Sequence, residues 1–323
     1  KAVHKNFPSY EIFLTADVDI LILASNRPRL PAPDWSVFRL PAIAKDLAHF
    51  RPITAAALEN TRLVGREALA PLLADTHDAN SDFYPTLDLL TERTRYMKEF
   101  AKGFEGLNGG RFDVGSALTG RRILPSPATV AALDIGRVTA QALGARLREG
   151  QRPDAARAAS EDKDFREAAE RGQTLRDLIA ANHPPADWRI FFTRIADVED
   201  DRHAGTMGWA DEAWYAGVTR FLEQQHAPAD CQAALRFLHA TATYDWPAAA
   251  AQVDSLVSAR ARGVAWINDD LLRDAAAVAL LRTGQPGKAR EVFDKLAEHT
   301  TRKDGDLRGL LVGAWLAAGE GRK

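Results

Sequence analysis

Cysteine is nearly absent. Cys231 is the only one among 323 residues, so no intrachain disulfide can form and no cysteine-based metal site can be built. It lies in the apolar run Cys231-Gln232-Ala233-Ala234-Leu235, which reads as the setting of a buried, inert thiol; a nucleophile would need a His/Asp framework, and none accompanies it. No apolar stretch approaches the roughly 18 residues that would cross a bilayer as a helix. The longest, residues 20–24 and 310–318, have the length of core segments. An excess of one charge is missing too. The 42 Lys and Arg against 44 Asp and Glu leave a net charge of −2, which gives no general attraction to nucleic acid or to an anionic membrane. No H-E-x-x-H and no G-x-S-x-G occurs, and none of the eight histidines pairs with another at i, i+4, so neither a zinc-protease helix nor an α/β-hydrolase elbow is supported. No signal peptide is recognisable, and a cytoplasmic location is expected.

What is present in quantity is alanine, the strongest helix former. The length suggests about two domains at roughly 150 residues each. The chain is expected to be mainly α, with a short β-hairpin at its start. Residues 10–16 alternate like a strand, with Tyr10, Ile12 and Leu14 on one face. After the turn at residues 17–19, residues 20–24 form a continuous aliphatic run, which suits a strand covered on both faces. Two strands alone are marginal, so this hairpin should belong to a larger sheet. The chain starts in mid-pattern at Lys1 and reads as a piece of a longer protein. Beyond Pro28, Pro31 and Pro33 the spacing turns helical. Helices are expected over residues 42–49, 54–64, 67–75, 86–102 and 128–149, and a solvated one over residues 154–171. Residues 103–116, with Gly103, Gly106, Gly109, Gly110 and Gly115, read as part of a flexible linker spanning 103–125. A phosphate loop is the alternative, but the run follows a helix and lacks G-x-G-x-x-G.

From about residue 228 the sequence repeats. Asp245-Trp246-Pro247 and Gln285-Pro286-Gly287 each open a helix preceded by another apolar helix, with proline in the first turn, where its missing N–H costs nothing. Superposing Pro247 on Pro286 aligns Ala250 with Ala289. A third copy is expected to open at Asp306. Helical hairpins of this kind bury their apolar faces by stacking. The period, together with Ala289 and Phe293, resembles tetratricopeptide repeats. Residues 126–323 would form this helical domain, and its repeat would take a protein or peptide partner.

Single residues with chemical potential are few. His77 lies beside Asp75 and Asp78 and reads as an exposed loop histidine. His239 reads as a satisfied core or interface histidine. Asp197, Glu199, Asp200, Asp201 and His203 could suggest a cation site but read as solvated carboxylates at a helix end. Six tryptophans, Trp188, Trp209, Trp214, Trp246, Trp266 and Trp315, sit in helical patterns as interhelix anchors.

One string is unusual: Asn80-Ser81-Asp82-Phe83-Tyr84-Pro85-Thr86-Leu87-Asp88-Leu89, trailed by Glu92-Arg93-Thr94-Arg95-Tyr96. Read locally, Asn80, Ser81 and Asp82 turn the chain and cap the next helix. The whole string resembles the Asn-Ser/Thr-Asp…Pro…Leu segment of spermidine synthase-like proteins, particularly large bacterial ones fused to membrane-embedded segments. Phe7-Pro8-Ser9-Tyr10-Glu11-Ile12-Phe13 is similar to the element entering a strand in that family. Asp19-Ile20-Leu21-Ile22-Leu23-Ala24-Ser25-Asn26 is similar to the last strand of its Rossmann-type methyltransferase fold. The resemblance covers residues 1–102. It implies the C-terminal portion of an aminopropyltransferase that uses a decarboxylated S-adenosylmethionine-type donor and a polyamine acceptor. It also implies that the whole protein is anchored in the bacterial inner membrane. The donor-binding loop and the catalytic aspartates of the family would precede Lys1, so this chain would hold no cofactor and be inactive alone. Asn80, Asp82 and Tyr84 are the substrate-binding candidates: Asp82 for a cationic polyamine, Asn80 to fix the loop, Tyr84 as an apolar wall. A protein-binding scaffold is the alternative, a methyltransferase on the same fold a further one, and self-association is left open.

Overall fold

A computed structural model describes residues 1–14, 20–47, 62–74, 107, 113–120, 163–205, 212–299 and 307–320. It is mainly helical with one small antiparallel sheet. The chain divides into two compact units. One gathers residues 1–109, 113–123 and 301–323; the other holds residues 110–112 and 124–300.

In the first unit a short helix α1 (Ala2–Asn6) leads into β1 (Ser9–Leu14), which pairs antiparallel with β2 (Ile20–Ser25). The register sets Ser9 opposite Ser25 and Leu14 opposite Ile20, and Ser9 Oγ ties the open end by donating to the Arg27 carbonyl at 2.7 Å. The alternation read along β1 holds on its inner face, where Tyr10 and Ile12 are buried. The cover expected for β2 does not. It is an edge strand in the order β2-β1-β3, and Ile20, Leu21, Ile22 and Leu23 are each 38–46% exposed. A 3₁₀ turn (Trp35–Arg39), capped by Asp34, and α2 (Pro41–Leu47) follow.

β3 (Arg62–Gly65) is a correction. The local spacing predicts a helix through Val64. Instead residues 62–65 pair antiparallel with β1 past an irregularity at Ile12/Phe13, so the hairpin is not the only strand pair. Leu63 and Val64 are both buried, and Arg62 Nη1 reaches Glu11 Oε1 at 2.9 Å across the pair. Those tertiary contacts outweigh the local helical pattern. α3 (Arg66–Leu73) follows directly.

Part of the expected linker is also structured. α4 (Val114–Thr119) is a buried helix whose N-cap, Asp113, accepts from the Gly115 and Ser116 backbone N–H groups. Gly115 serves close packing here: a Cβ would stand 3.3 Å from Val64 Cγ2. α12 (Leu307–Glu320), last in the chain, packs on α3 and α4. Its Trp315 Nε1 donates to the Ala68 carbonyl at 2.7 Å. The helix expected to open a third repeat copy therefore belongs to the N-terminal unit.

The second unit holds α5 (Lys163–Ala180), α6 (Trp188–Gly205), α7 (Glu212–Gln224), α8 (Ala229–Thr243), α9 (Trp246–Ala261), α10 (Asp269–Arg282) and α11 (Pro286–Ala297). α5 packs on α6, and each of α7 to α10 packs on the helix that follows it. Four junctions close alike, with one residue in the left-handed region: His226, Tyr244, Gly263 and Gly284. At each, the following N–H bonds back across the last turn. Ala227 bonds to Leu222 O, Asp245 to Ala240 O, Val264 to Ala259 O and Gln285 to Leu280 O, at 2.8–3.0 Å. These bonds satisfy carbonyls that a helix end leaves orphaned. Tyr244 and Gly284 occupy corresponding places. So do Thr243 and Thr283, whose hydroxyls donate to the His239 and Ala279 carbonyls at 2.9 Å. The turns therefore set the period of this pair, and it is one residue longer than the proline spacing. The prolines mislead because Pro247 is the second residue of α9 and Pro286 the first of α11. The fully buried partner of Ala289 is Ala249, and Ala250 is half-exposed.

Candidate functional site

Described residues of the first unit line an open cavity of about 750 Å³ between β1, β3, α3 and α4. Its wall carries Glu11, Glu67 and Asp113 together with Arg29, Arg62 and Arg66. Several of these groups are already engaged. Arg62 is ion-paired with Glu11. Arg66 Nε donates to the Phe7 carbonyl at 3.1 Å and its Nη2 to the His4 carbonyl at 3.4 Å, holding α1 against α3. Asp113 accepts from Ser116 Oγ at 2.5 Å, and Thr119 Oγ1 donates to the Gly115 carbonyl at 2.8 Å. The Tyr10 hydroxyl lies 2.9 Å from His4 Nδ1. Burial pushes the Tyr10 phenol up to about 12, so it stays protonated at neutral pH. Burial, and then the Arg66 guanidinium, hold the His4 imidazole below its ordinary value, and the neutral ring and the phenol share a hydrogen bond. The Ser116 and Thr119 hydroxyls on this wall are thus already donating within α4 and its cap, and the Tyr10 phenol is held protonated.

A second cluster forms in the helical unit. His239 of α8 donates from Nε2 to both Glu212 oxygens of α7, at 2.9 and 3.0 Å. Its ring lies 4.3 Å from that of Tyr215, tilted by 30°. The Tyr215 hydroxyl donates to Glu199 of α6, which is 2% exposed. A shallow cavity of about 340 Å³ opens beside Glu212, Tyr215, Glu223 and His239. The reading of His239 as an interface histidine holds. The reading of Glu199 as a solvated carboxylate is overturned: the helix turns it inward, unlike its exposed neighbour Asp197, onto a phenol. Tyr215 and Glu212 escape a sequence reading because they lie 16 and 27 residues from their partners, beyond any local spacing rule.

Cys231 is fully buried, and burial pushes its thiol up to about 12, as expected of an inert side chain. Asn80, Asp82 and Tyr84 lie outside the described residues, as do His77, the turn at residues 17–19 and the helices expected over 86–102 and 128–149. Among the described residues no group of three or more His, Cys, Asp or Glu side chains is placed to hold a metal ion. No described helix is long and apolar enough to cross a membrane. Comparison with protein-family models, curated proteins and solved structures found no match to this chain.

Proposed function

We propose that this chain is the C-terminal portion of a spermidine synthase-like transferase, which moves an aminopropyl group from a decarboxylated S-adenosylmethionine-type donor to a polyamine. The observation that carries the reading is the β1–β2 hairpin. The segment that resembles the family's element entering a strand and the segment that resembles its last strand pair residue for residue, from Ser9 opposite Ser25 to Leu14 opposite Ile20. In the reaction a neutral amine nitrogen attacks the CH₂ next to the sulfonium. A C–N bond forms, the C–S bond breaks with its electrons going to sulfur, a neutral thioether leaves, and the new ammonium sheds a proton. Positioning the amine in line supplies much of such a rate. Asp82 would bind the polyamine cation, with Asn80 and Tyr84 beside it, and the donor would be held by residues preceding Lys1.

The experiment is to express the complete open reading frame and supply decarboxylated S-adenosylmethionine with putrescine. Spermidine and methylthioadenosine are the expected products by mass spectrometry. Methylated product and S-adenosylhomocysteine from S-adenosylmethionine would indicate a methyltransferase instead; neither pair of products would remove the transferase reading.

A second reading, a protein-binding helical scaffold of tetratricopeptide type, is favoured by the matched turns at Tyr244 and Gly284. Its binding surface would not be α10. Residues Leu272 to Leu280 are all buried, and nine consecutive buried residues exceed two helical turns, which covers every face. The open face of α7 beside His239 is the better surface.

A further inference from the structure

Two guanidinium groups on the wall of the first unit's cavity, those of Arg29 and Arg66, belong to the end of the sheet where β1 begins. Arg66 is tied there by donating to the Phe7 carbonyl at 3.1 Å and to the His4 carbonyl at 3.4 Å. Those acceptors are neutral, so its charge is not cancelled, and a guanidinium has further N–H donors to offer. After burial, that charge is what lowers the proton affinities of His4 and Tyr10. Arg29 follows the turn that Ser9 Oγ closes by donating to the Arg27 carbonyl at 2.7 Å. It is exposed and, among the described residues, makes no hydrogen bond or ion pair. Pro28 and Pro31 fix φ at their own positions and narrow the choice at Arg27 and Leu30 before them, so the segment that carries Arg29 is stiff.

None of the three acids on this wall is paired with Arg29 or Arg66. Glu11 holds Arg62 at 2.9 Å. Asp113 is committed to the cap of α4, where it accepts from the Gly115 and Ser116 N–H groups and from Ser116 Oγ. Glu67 is exposed and has an interaction of its own. The first turn of α3 lies on the same wall, and Gly65 supplies it no side-chain cap, so its N–H dipoles add positive potential there. A volume of about 750 Å³ is in the range that holds a small organic ligand. Two guanidiniums favour an anion, and they discriminate among anions. A carboxylate brings one charge and two oxygens; a phosphate monoester near neutral pH brings close to two charges and three terminal oxygens, enough to engage both forks.

We propose that this cavity binds a small phosphate monoester, with Arg66 and Arg29 holding the phosphate at the end where β1 begins and the rest of the ligand lying along the wall toward α4. The stiff segment around Arg29 keeps its guanidinium near the opening before the ligand arrives, which lowers the ordering cost of binding. The site does not depend on the transferase reading and is tested without any transfer assay.

Glycerol 3-phosphate, inorganic phosphate and succinate are titrated into this chain by isothermal calorimetry at low ionic strength. Saturable binding of glycerol 3-phosphate at one site is expected, with inorganic phosphate competing for it and succinate binding more weakly. Arg29→Gln should raise the Kd of glycerol 3-phosphate about tenfold, the worth of one hydrogen bond to a charged group, at an unchanged melting temperature, because Arg29 is exposed. Arg282→Gln removes the same charge from an exposed position in the other unit and should leave that Kd alone. Arg66→Gln should also weaken binding; because Arg66 ties α1 to α3, the Arg29 variant decides if this one does not fold. The absence of saturable binding by either phosphate overturns the proposal. So does an equal loss in the Arg29 and Arg282 variants, which marks a general charge effect, or a Kd unmoved by Arg29→Gln, which places the phosphate elsewhere. Succinate binding as tightly as glycerol 3-phosphate overturns the choice of phosphate.

Discussion

Glu199 shows how far one residue's role depends on what faces it. In sequence it is one acid among Asp197, Asp200 and Asp201; in the fold it is buried and accepts the Tyr215 hydroxyl. A charged acceptor that loses a buried donor loses more than an exposed one does. Tyr215→Phe should therefore destabilise the helical unit by about 1–3 kcal/mol, read as a lower urea midpoint at unchanged slope. An unmoved midpoint would show that Glu199 is satisfied without the phenol. The His239–Glu212 pair is more exposed, and in such a setting a pair is worth about 0–1 kcal/mol. His4 carries a pH dependence. The folded protein lowers its value, so below about 6.5 the unfolded chain binds more protons than the folded one. The stability that neutral His4 lends is whole above that pH and is lost as pH falls through the lowered folded value. Amide exchange in β1 should accordingly be faster relative to intrinsic rates at pH 5 than at pH 7.5, and His4→Gln should flatten that difference. A wild-type profile already flat would remove His4 from the account.

The elements of the helical unit repeat because their ends repeat. Asp245 and Asn268 cap α9 and α10 with side-chain acceptors, and the left-handed residues Tyr244 and Gly284 turn the chain at corresponding places. The sequence already announces these helices through alanine content, cap residues and first-turn prolines. Aligning the hairpins on their prolines puts them one residue out of register, since proline tolerates either of the first helical positions and so is a poor ruler. The corrected register has a direct test. Ala249→Leu and Ala289→Leu should each cost roughly 1–3 kcal/mol by overpacking, whereas Ala250→Leu, at a half-exposed site, should cost clearly less. Equal losses at 249 and 250 would contradict the register set by the turns. In the N-terminal unit, α4 is hidden by its glycine and those just before it in the sequence. Gly115 counts toward a flexible linker in the sequence, yet it lets the helix approach Val64.

At the scale of the whole molecule, the first unit is assembled from distant parts of the chain: β1, β3, α3 and α4 near the start, and α12 at residues 307–320. Its cavity is lined by three carboxylates and three guanidinium groups, of which Glu11 and Arg62 pair with each other, Arg66 holds two backbone carbonyls and Asp113 caps α4. The candidate loop is tested in the complete protein with Asp82→Asn, measuring both the amine KM and unfolding. A raised KM at unchanged stability is expected if Asp82 meets the polyamine. Lower stability by about 1 kcal/mol with unaltered KM would identify it as a helix cap.

What the sequence determined by itself is what depends on neighbours along the chain. Alanine-rich helices, their caps and prolines, the alternation in β1 and the inert setting of Cys231 all follow from local spacing and composition. The tertiary structure alone decided whatever joins residues far apart. β3 is a strand because β1 offers it a ladder and Glu11 a charge; α12 sits in the first unit because Trp315 finds the Ala68 carbonyl. Glu199, Tyr215, His239 and Glu212 meet only because α6, α7 and α8 pack together. Local patterns encode torsional preference and which face is apolar, whereas pairing partners are chosen by burial and hydrogen bonding across the fold, which no short stretch of sequence contains.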